Sequence, residues 1–317
     1  MIKKPDEMDF SNKRISMIVA GLPGIGKTTL ALSAPKPLLI DLDGGVSRVE
    51  AKYRADTMTA DNYNELRSEL KSADLSAYET IIIDTGGKLF EFMKPSIIAE
   101  NPKNGKSDGS LSLQGYGAAK RKYGEFISFV KSLGKNLVVV FHATEVVLDE
   151  SEKTTGLRIR IEGGTRDEIW DDMDLGAFME VKGNKRTLGF SNCDRYYAKG
   201  THGIHGVYSV PNLEDGAKNT FLSDLFEKVR EDLNKENKEA SLYNSAMLLK
   251  TVIETADGPD GLNECLLKAS KIKHALTSRE ELFGAMVAKA KELGCFYDKK
   301  EKKFKREQSA ADNSEPA

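Results

Sequence analysis

The stretch Gly21-Leu22-Pro23-Gly24-Ile25-Gly26-Lys27-Thr28 fits the pattern G-x-x-x-x-G-K-[ST], and it lies between an apolar run, residues 15–20, and a helix-forming segment that continues through Thr29. Strand, glycine turn and helix in that order make a cradle for phosphate. Backbone N–H groups of the turn point at phosphate oxygens, Lys27 adds a positive charge near the β- and γ-phosphates, and the Thr28 hydroxyl offers an oxygen to Mg²⁺. The predicted nucleotide-binding set is therefore Gly21, Leu22, Pro23, Gly24, Ile25, Gly26, Lys27, Thr28 and Thr29, with ATP and Mg²⁺ as the expected ligands.

Three more apolar runs follow at intervals that leave room for helices. PKPLLIDLDGG carries Asp41 and Asp43 ahead of the turn Gly44-Gly45, YETIIIDTGG ends in Asp84, and NLVVVFHATEV ends in His142 and Thr144. Between them, residues 62–76 and 115–133 have helical periodicity. Four alternations of strand and helix predict an α/β fold, a mainly parallel sheet with helices on both faces. Ligands in such sheets sit at the C-terminal strand ends, and the glycine turn, Asp43, Asp84 and His142 all fall there.

Each of these polar residues has a chemical and a plain reading. Asp84 holds Mg²⁺ directly or through water, or else terminates its strand in a turn. Thr85 follows it where many ATPases carry a glutamate, so the group that activates water must come from elsewhere. Asp43, at the tip of the strand after the phosphate-loop helix, is the candidate. Asp41, two residues earlier on the same strand face, is expected to orient Mg²⁺ or the loop; either aspartate alternatively caps Gly44-Gly45. His142 either senses the γ-phosphate by a hydrogen bond, relaying it to the segment beginning near Val146, or is a structural histidine.

Two polar stretches interrupt the core pattern. Residues 101–114 read as a mobile loop, and 146–168, with alternation in GLRIRIEGG, as a hairpin or extended loop. Residues 175–198 read as antiparallel strands turning at Gly183-Asn184. After Pro211 the composition becomes helical, with segments 221–237, 239–256, 259–274 and 278–293. The predicted division is a core over 1–212, a small helical domain over 213–297, and a basic and polar tail over 298–317.

Composition narrows the class. A formal net charge of -2 on 317 residues excludes a uniformly basic nucleic-acid protein, and 39% hydrophobic with 30% charged residues excludes wholesale disorder. The three cysteines, Cys193, Cys265 and Cys295, have neither disulfide-framework nor zinc spacing. With no apolar run of signal or membrane length, the expectation is a cytoplasmic protein without a membrane partner.

Together, the phosphate loop at 21–28, LLIDLDGG at 38–45, IIIDT at 81–85 and VVVFHATE at 138–145 resemble the RecA-like core ATPases of bacteriophages, the phage AAA-type family that includes single-strand annealing ATPases. The likeness covers about residues 13–210. It implies a RecA-like P-loop fold and a Mg²⁺-dependent ATPase, slow or dependent on DNA and assembly, working on single-stranded DNA in recombination, annealing or replication inside an infected bacterial cell. Asp43 then takes the catalytic-carboxylate position, where RecA has glutamate, and His142 the switch position. The loops at 101–114, with Lys103 and Lys106, and 146–168, with Lys153, Arg158, Arg160 and Arg166, correspond to those lining the DNA axis. In the second, Asp149, Glu150, Glu152, Glu162, Asp167 and Glu168 offset the basic charge.

The resemblance also implies a homo-oligomer, ring or filament, with ATP between subunits and a recombination or replication protein as a further partner. Lys185 or Arg186, in Lys182-Gly183-Asn184-Lys185-Arg186, would then act in trans on the γ-phosphate; the plain reading is a solvated turn. Tyr116 and Tyr123 are candidates for base stacking or for packing their helix, and Arg121 and Lys122 for DNA or interface contacts or for a solvated face. Competing classes are a nucleotide-gated assembly protein with little hydrolysis, a small-molecule kinase using the arginines of 146–168 as a lid, and a partition-type ATPase, which lacks support because Leu22-Pro23 stands where a lysine would be.

Overall fold

The computed structural model describes residue 3 and residues 7–149, 154–213 and 217–307. In chain order the elements are β1 (Ser16–Gly21), α1 (Lys27–Ala31), β2 (Pro37–Asp41), β3 (Thr57–Met58), α2 (Tyr63–Ser72), β4 (Thr80–Asp84), α3 (Gly86–Glu100), α4 (Leu113–Ser132), β5 (Asn136–Asp149), β6 (Thr154–Ile159), α5 (Thr165–Glu168), β7 (Leu175–Lys182), β8 (Lys185–Gly189), β9 (Val207–Val210), α6 (Phe221–Met247), α7 (Leu249–Glu254), α8 (Pro259–Lys271), α9 (Ser278–Glu292), β10 (Cys295–Asp298) and β11 (Lys303–Arg306).

The chain divides into two compact units, one of residues 12–230 and one of residues 1–11 with 231–317. The larger holds one sheet ordered β3-β2-β4-β5-β1-β7-β8-β9, with β6 paired to β5. Every pairing from β3 to β7 is parallel, and β8 and β9 are added antiparallel. β1, β2, β4 and the first half of β5 are buried along both faces, which is why the sequence reads there as unbroken aliphatic runs. One face, with Ile18, Ile40, Ile83 and Val139, packs against Leu66 and Leu70 of α2, Leu89, Phe90 and Met93 of α3, and Phe126 and Ile127 of α4. Met17, Val19, Leu39, Ile82 and Val138 on the opposite face are equally buried, as are Leu222, Phe226 and Val229 from the start of α6. That start is tied to the chain just after α1, where Leu222 N–H donates to Ser33 Oγ at 2.9 Å.

The mainly parallel sheet expected from the sequence is thus present, with the Gly183-Asn184 hairpin joining β7 to β8. Of the two readings of 146–168 the hairpin holds over its first part, β5 running on antiparallel to β6 from Ala143↔Ile159 to Asp149↔Thr154, while Thr165–Glu168 form α5. The next expectation is met differently. The segment 101–114 closes on itself: Lys106 N–H donates to Ser110 O, Ser112 N–H to Asn104 O and Ser112 Oγ to Lys103 O, all at 2.8 Å, and Leu111 is buried.

The smaller unit has a core of its own around Leu262, Cys265, Leu282, Met286 and Phe304. The N-terminal residues belong to it, since Phe10 N–H donates to Asn234 Oδ1 and Asn237 Nδ2 to Met8 O, both at 2.8 Å. Two corrections to the sequence boundaries follow. The larger unit runs through the first turns of α6 to Arg230 rather than stopping at 212, because Leu222, Phe226 and Val229 are buried there and Arg230 donates to Lys13 O and Asn136 Oδ1. And the basic segment after 298 is not all tail: β11 pairs with β10 and buries Phe304, its lysines lying on the exposed side. Residues 308–317 lie outside the described residues.

Candidate functional site

The parallel register sets the site. It places Gly21 beside His142 and Asp41 beside Asp84, so the ends of four strands form one edge. The chain can leave β1 as a tight loop because Gly24 and Gly26 adopt positive φ, 79° and 95°. Gly21 is required for another reason: a Cβ there would sit 2.6 Å from Met179 O of β7 and 2.7 Å from Ile25 Cδ1.

Lys27 is 4% exposed, and its Nζ donates to Leu22 O at 2.7 Å, closing the loop around itself. Burial lowers its pKa to about 8, against the pull of Asp84 and Asp43. Thr28 Oγ1 donates to Asp84 Oδ2 at 2.6 Å. Asp84 is 2% exposed, and burial pushes its carboxyl up to about 6, the Thr28 hydrogen bond opposing and Asp43 and Asp41 adding to the rise. A buried carboxylate and a hydroxyl in contact, both hard oxygens at the end of the phosphate loop, fit Mg²⁺. Thr85, joined to Asp84 by a cis peptide, accepts from Lys88 N–H and begins α3.

Of the two readings of Asp41, the contacts are those of the turn cap. Gly45 N–H donates to its Oδ1 at 2.8 Å and Val46 N–H to its Oδ2 at 2.9 Å, so both oxygens are committed to capping the turn. That turn carries Asp43, whose side chain is 13% exposed, with Arg48 Nη2 at 3.4 Å from Oδ1 and His142 Nε2 at 3.6 Å from Oδ2. The second distance is an approach, not a hydrogen bond. Burial and the Lys27 charge hold His142 below its usual pKa against the pull of Asp43, and its Nδ1 is buried with no hydrogen-bond partner among the described residues. Phosphate loop, Asp84, Asp43 and His142 are therefore one cluster.

Arg186 also joins it, from its own chain. Its Nε donates to Ile25 O at 3.2 Å and Nη1 to Asn212 Oδ1 at 3.3 Å, because β8 folds back along β7 over the phosphate loop. Within its own chain Arg186 thus touches the phosphate loop, in addition to the role in trans that the resemblance implies. Lys185 is exposed at the hairpin end, opposite Lys182.

A recess of about 440 Å³ opens beside Gly26 and Thr29, walled by Tyr53, Arg186 and Asn219, whose Nδ2 donates to Thr29 O at 2.7 Å. It has room for a base and ribose next to the phosphate loop. Sequence reasoning missed Arg48, Tyr53 and Asn219. Arg48 had a signal, lying one turn beyond Asp43; Asn219 fell past the presumed boundary at Pro211.

The nucleic-acid candidates scatter. Tyr123 is buried against Phe90, with ring centroids 6.4 Å apart, and is no stacking platform. Tyr116 donates its hydroxyl to Glu162 at 3.0 Å, and Lys122 pairs with Glu100, while Arg121, Lys103 and Lys106 are exposed. Arg158 and Arg160 are exposed on or just past β6, and Arg166 Nη2 donates to Ile161 O at 3.3 Å. Glu150, Glu152 and Lys153, and the side chains of Asp149 and Asp167, lie outside the described residues. Among the described residues no group of three His, Cys, Asp or Glu could hold a metal, and no helix is long and apolar enough to cross a membrane.

No curated protein matches the chain. Among solved structures, a KaiC-like protein from the hyperthermophilic archaeon Pyrococcus horikoshii OT3 aligns at 11% identity and a TM-score of 0.33 over 62% of this chain and 89% of that one. A prototypical ATPase of the type III secretion system of pathogenic bacteria aligns at 11% identity and a TM-score of 0.34 over 86% of this chain and 81% of that one. The sheet order, with the phosphate loop at the end of a central strand, is the RecA-like P-loop architecture expected from the sequence. A family profile described as the AAA domain matches residues 13–202, more than half of the chain, and the protein belongs to that family of P-loop ATPase domains.

Proposed function

We propose that the protein hydrolyses ATP and couples the nucleotide state to binding of single-stranded DNA, in phage recombination, annealing or replication. One observation carries the coupling. His142 sits beside Gly21 in register, and its carbonyl accepts the Arg160 N–H at 2.7 Å, so the strand that ends at the phosphates is also the first strand of the basic hairpin.

Within this reading Lys27 exchanges the Leu22 carbonyl for the β- and γ-phosphates, whose charge restores the full protonation that burial weakens. Thr28 and Asp84 would hold Mg²⁺, which would supply positive charge against that of the phosphates. Asp43 orients the attacking water, and neutral His142 donates toward the terminal phosphate and transmits its loss to β5 and β6. Assembly of several copies would line up the hairpins of a chain that has little net charge.

The test is ATP turnover with and without single-stranded DNA. Stimulation by DNA, with turnover lost in Lys27→Ala and Asp43→Asn, supports the proposal; turnover that requires a small acceptor and ignores DNA rejects it in favour of a kinase. A second reading, nucleotide-gated assembly with little hydrolysis, is favoured by the Arg48 contact, which occupies one of the two Asp43 oxygens. Full ATP binding with no turnover, with or without DNA, would select it.

A further inference from the structure

Across β6 from the phosphate loop lies a second cleft of about 670 Å³, the size of many small-molecule sites. Its walls come from four separated segments: the β5–β6 hairpin, Arg166 of α5 with Trp170 just after it, Phe178 of β7, and residues 192–197, which close on themselves through antiparallel backbone pairing of Cys193 with Tyr196. Leu157 N–H donates to Arg195 O at 2.6 Å, fixing the last segment to the hairpin.

The cleft combines aromatic surface with positive charge. Tyr196 stacks on Phe178 at 4.9 Å, Trp170 lies 6.2 Å from the same ring, and Tyr197 meets Trp170 edge-on at 5.2 Å while remaining 52% exposed. Three arginines, 158, 166 and 195, face one carboxylate in the lining, Asp194. Arg195 also lies near Glu180, at 3.3 Å, and Glu145, at 3.8 Å. Yet the Nε atoms of Arg166 and Arg195 are both buried with no hydrogen-bond partner among the described residues. Those N–H groups are closed off from the cleft, and what the lining offers a ligand is the exposed Arg158 guanidinium with a surplus of arginine over carboxylate, which favours an anion.

From this geometry we infer that the cleft holds a nucleotide unit of single-stranded DNA, its base against the exposed Tyr197 edge of the aromatic cluster and its phosphate on the arginines. The inference rests on the DNA reading above and names where that reading places the strand. Stacking on aromatic rings beside arginines tolerates any base, as a sequence-independent annealing protein requires. The hairpin is shared with the ATP site: Arg158 lines the cleft, and Arg160, two residues on, bonds to His142.

Trp170 is the one tryptophan of the chain and reports directly on this cleft. The full-length protein is titrated with oligothymidylate, and separately with thymidine monophosphate, following Trp170 fluorescence together with anisotropy of the labelled oligonucleotide. The expected result is saturable quenching by the oligonucleotide, with affinity reduced about tenfold or more in Tyr197→Ala and in Arg158→Glu, both exposed positions where folding tolerates change. Oligonucleotide binding of undiminished affinity in both variants overturns the inference and leaves the DNA reading standing. Quenching by the monophosphate alone, lost in Arg158→Glu, overturns both, marking the cleft as a site for a free nucleotide. No binding of either ligand also overturns both.

Discussion

Thr28 Oγ1 donates to Asp84 Oδ2 at 2.6 Å, joining the phosphate-loop helix to the neighbouring strand end through the two oxygens that would hold Mg²⁺. The bond supports an arrangement that is costly without ligand, since Asp84 is buried with its pKa raised from 3.8 to about 6. A carboxyl with a raised folded-state value binds its proton more tightly folded than unfolded. Its ionisation therefore destabilises the fold fully above about pH 6, progressively less between pH 6 and 4, and not at all below that. Two pKa units amount to about 3 kcal/mol. Asp84→Asn is expected to raise the urea midpoint of the ligand-free protein at pH 8, to leave it unchanged at pH 4, and to abolish the stabilisation by ATP and Mg²⁺. A variant less stable than the parent at pH 8 would contradict the burial argument.

Asp41 provides a separate test, because a turn cap and a metal ligand fail differently when removed. Asp41→Ala leaves the buried N–H of Gly45 without its acceptor and frees the turn that aims Asp43, costing about 1–3 kcal/mol. Turnover should fall while the Mg²⁺ dependence of ATP binding, followed by calorimetry, is unchanged. A weakened Mg²⁺ dependence would return Asp41 to the metal.

How far the sequence could carry these assignments depended on what each contact is made of. The phosphate loop, Asp84 and His142 were legible because aliphatic runs mark buried parallel strands, and the ends of such strands share one edge. The role of Asp41 was not, since its partners are backbone N–H groups that have no identity in a sequence. Of the two readings of Tyr123 the packing one holds, and its signal was in the sequence: Ala119, Tyr123, Phe126, Ile127 and Val130 recur at helical spacing and are all buried. The aromatic cleft was illegible because Trp170 and Tyr197 meet only after the chain has passed through β7, β8 and the turn beyond them.

Close packing at the start of α3 gives a prediction that starts from the core rather than from the site. A Cβ on Gly86 would lie 2.3 Å from Phe141 Cζ and 2.7 Å from Val139 Cγ1, rigid neighbours inside the sheet. Gly86→Ala is expected to destabilise the larger unit by about 1–3 kcal/mol or more and, by shifting the helix that follows Asp84, to weaken ATP binding. Thermal unfolding with and without ATP and Mg²⁺ measures both effects. Unchanged stability would mean that α3 does not pack on β5 this closely.

Arg186 decides whether the hairpin serves its own ATP site or a neighbour's. Its Nε bonds to Ile25 O of the same chain, so removing the guanidinium should impair the phosphate loop that it touches. Arg186→Ala is expected to lower turnover about tenfold or more, in line with the loss of one charged hydrogen bond that holds the phosphate loop. Mixing gives the discriminating measurement. If Arg186 acts in cis, combining Arg186→Ala with Lys27→Ala protein restores nothing, because neither chain has both groups at one site. If it acts in trans, mixed assemblies contain interfaces where an intact Lys27 meets a neighbour's intact Arg186, and activity rises above that of either variant alone. The intrachain contact predicts no recovery at any mixing ratio, and recovery would assign the arginine to the adjoining subunit.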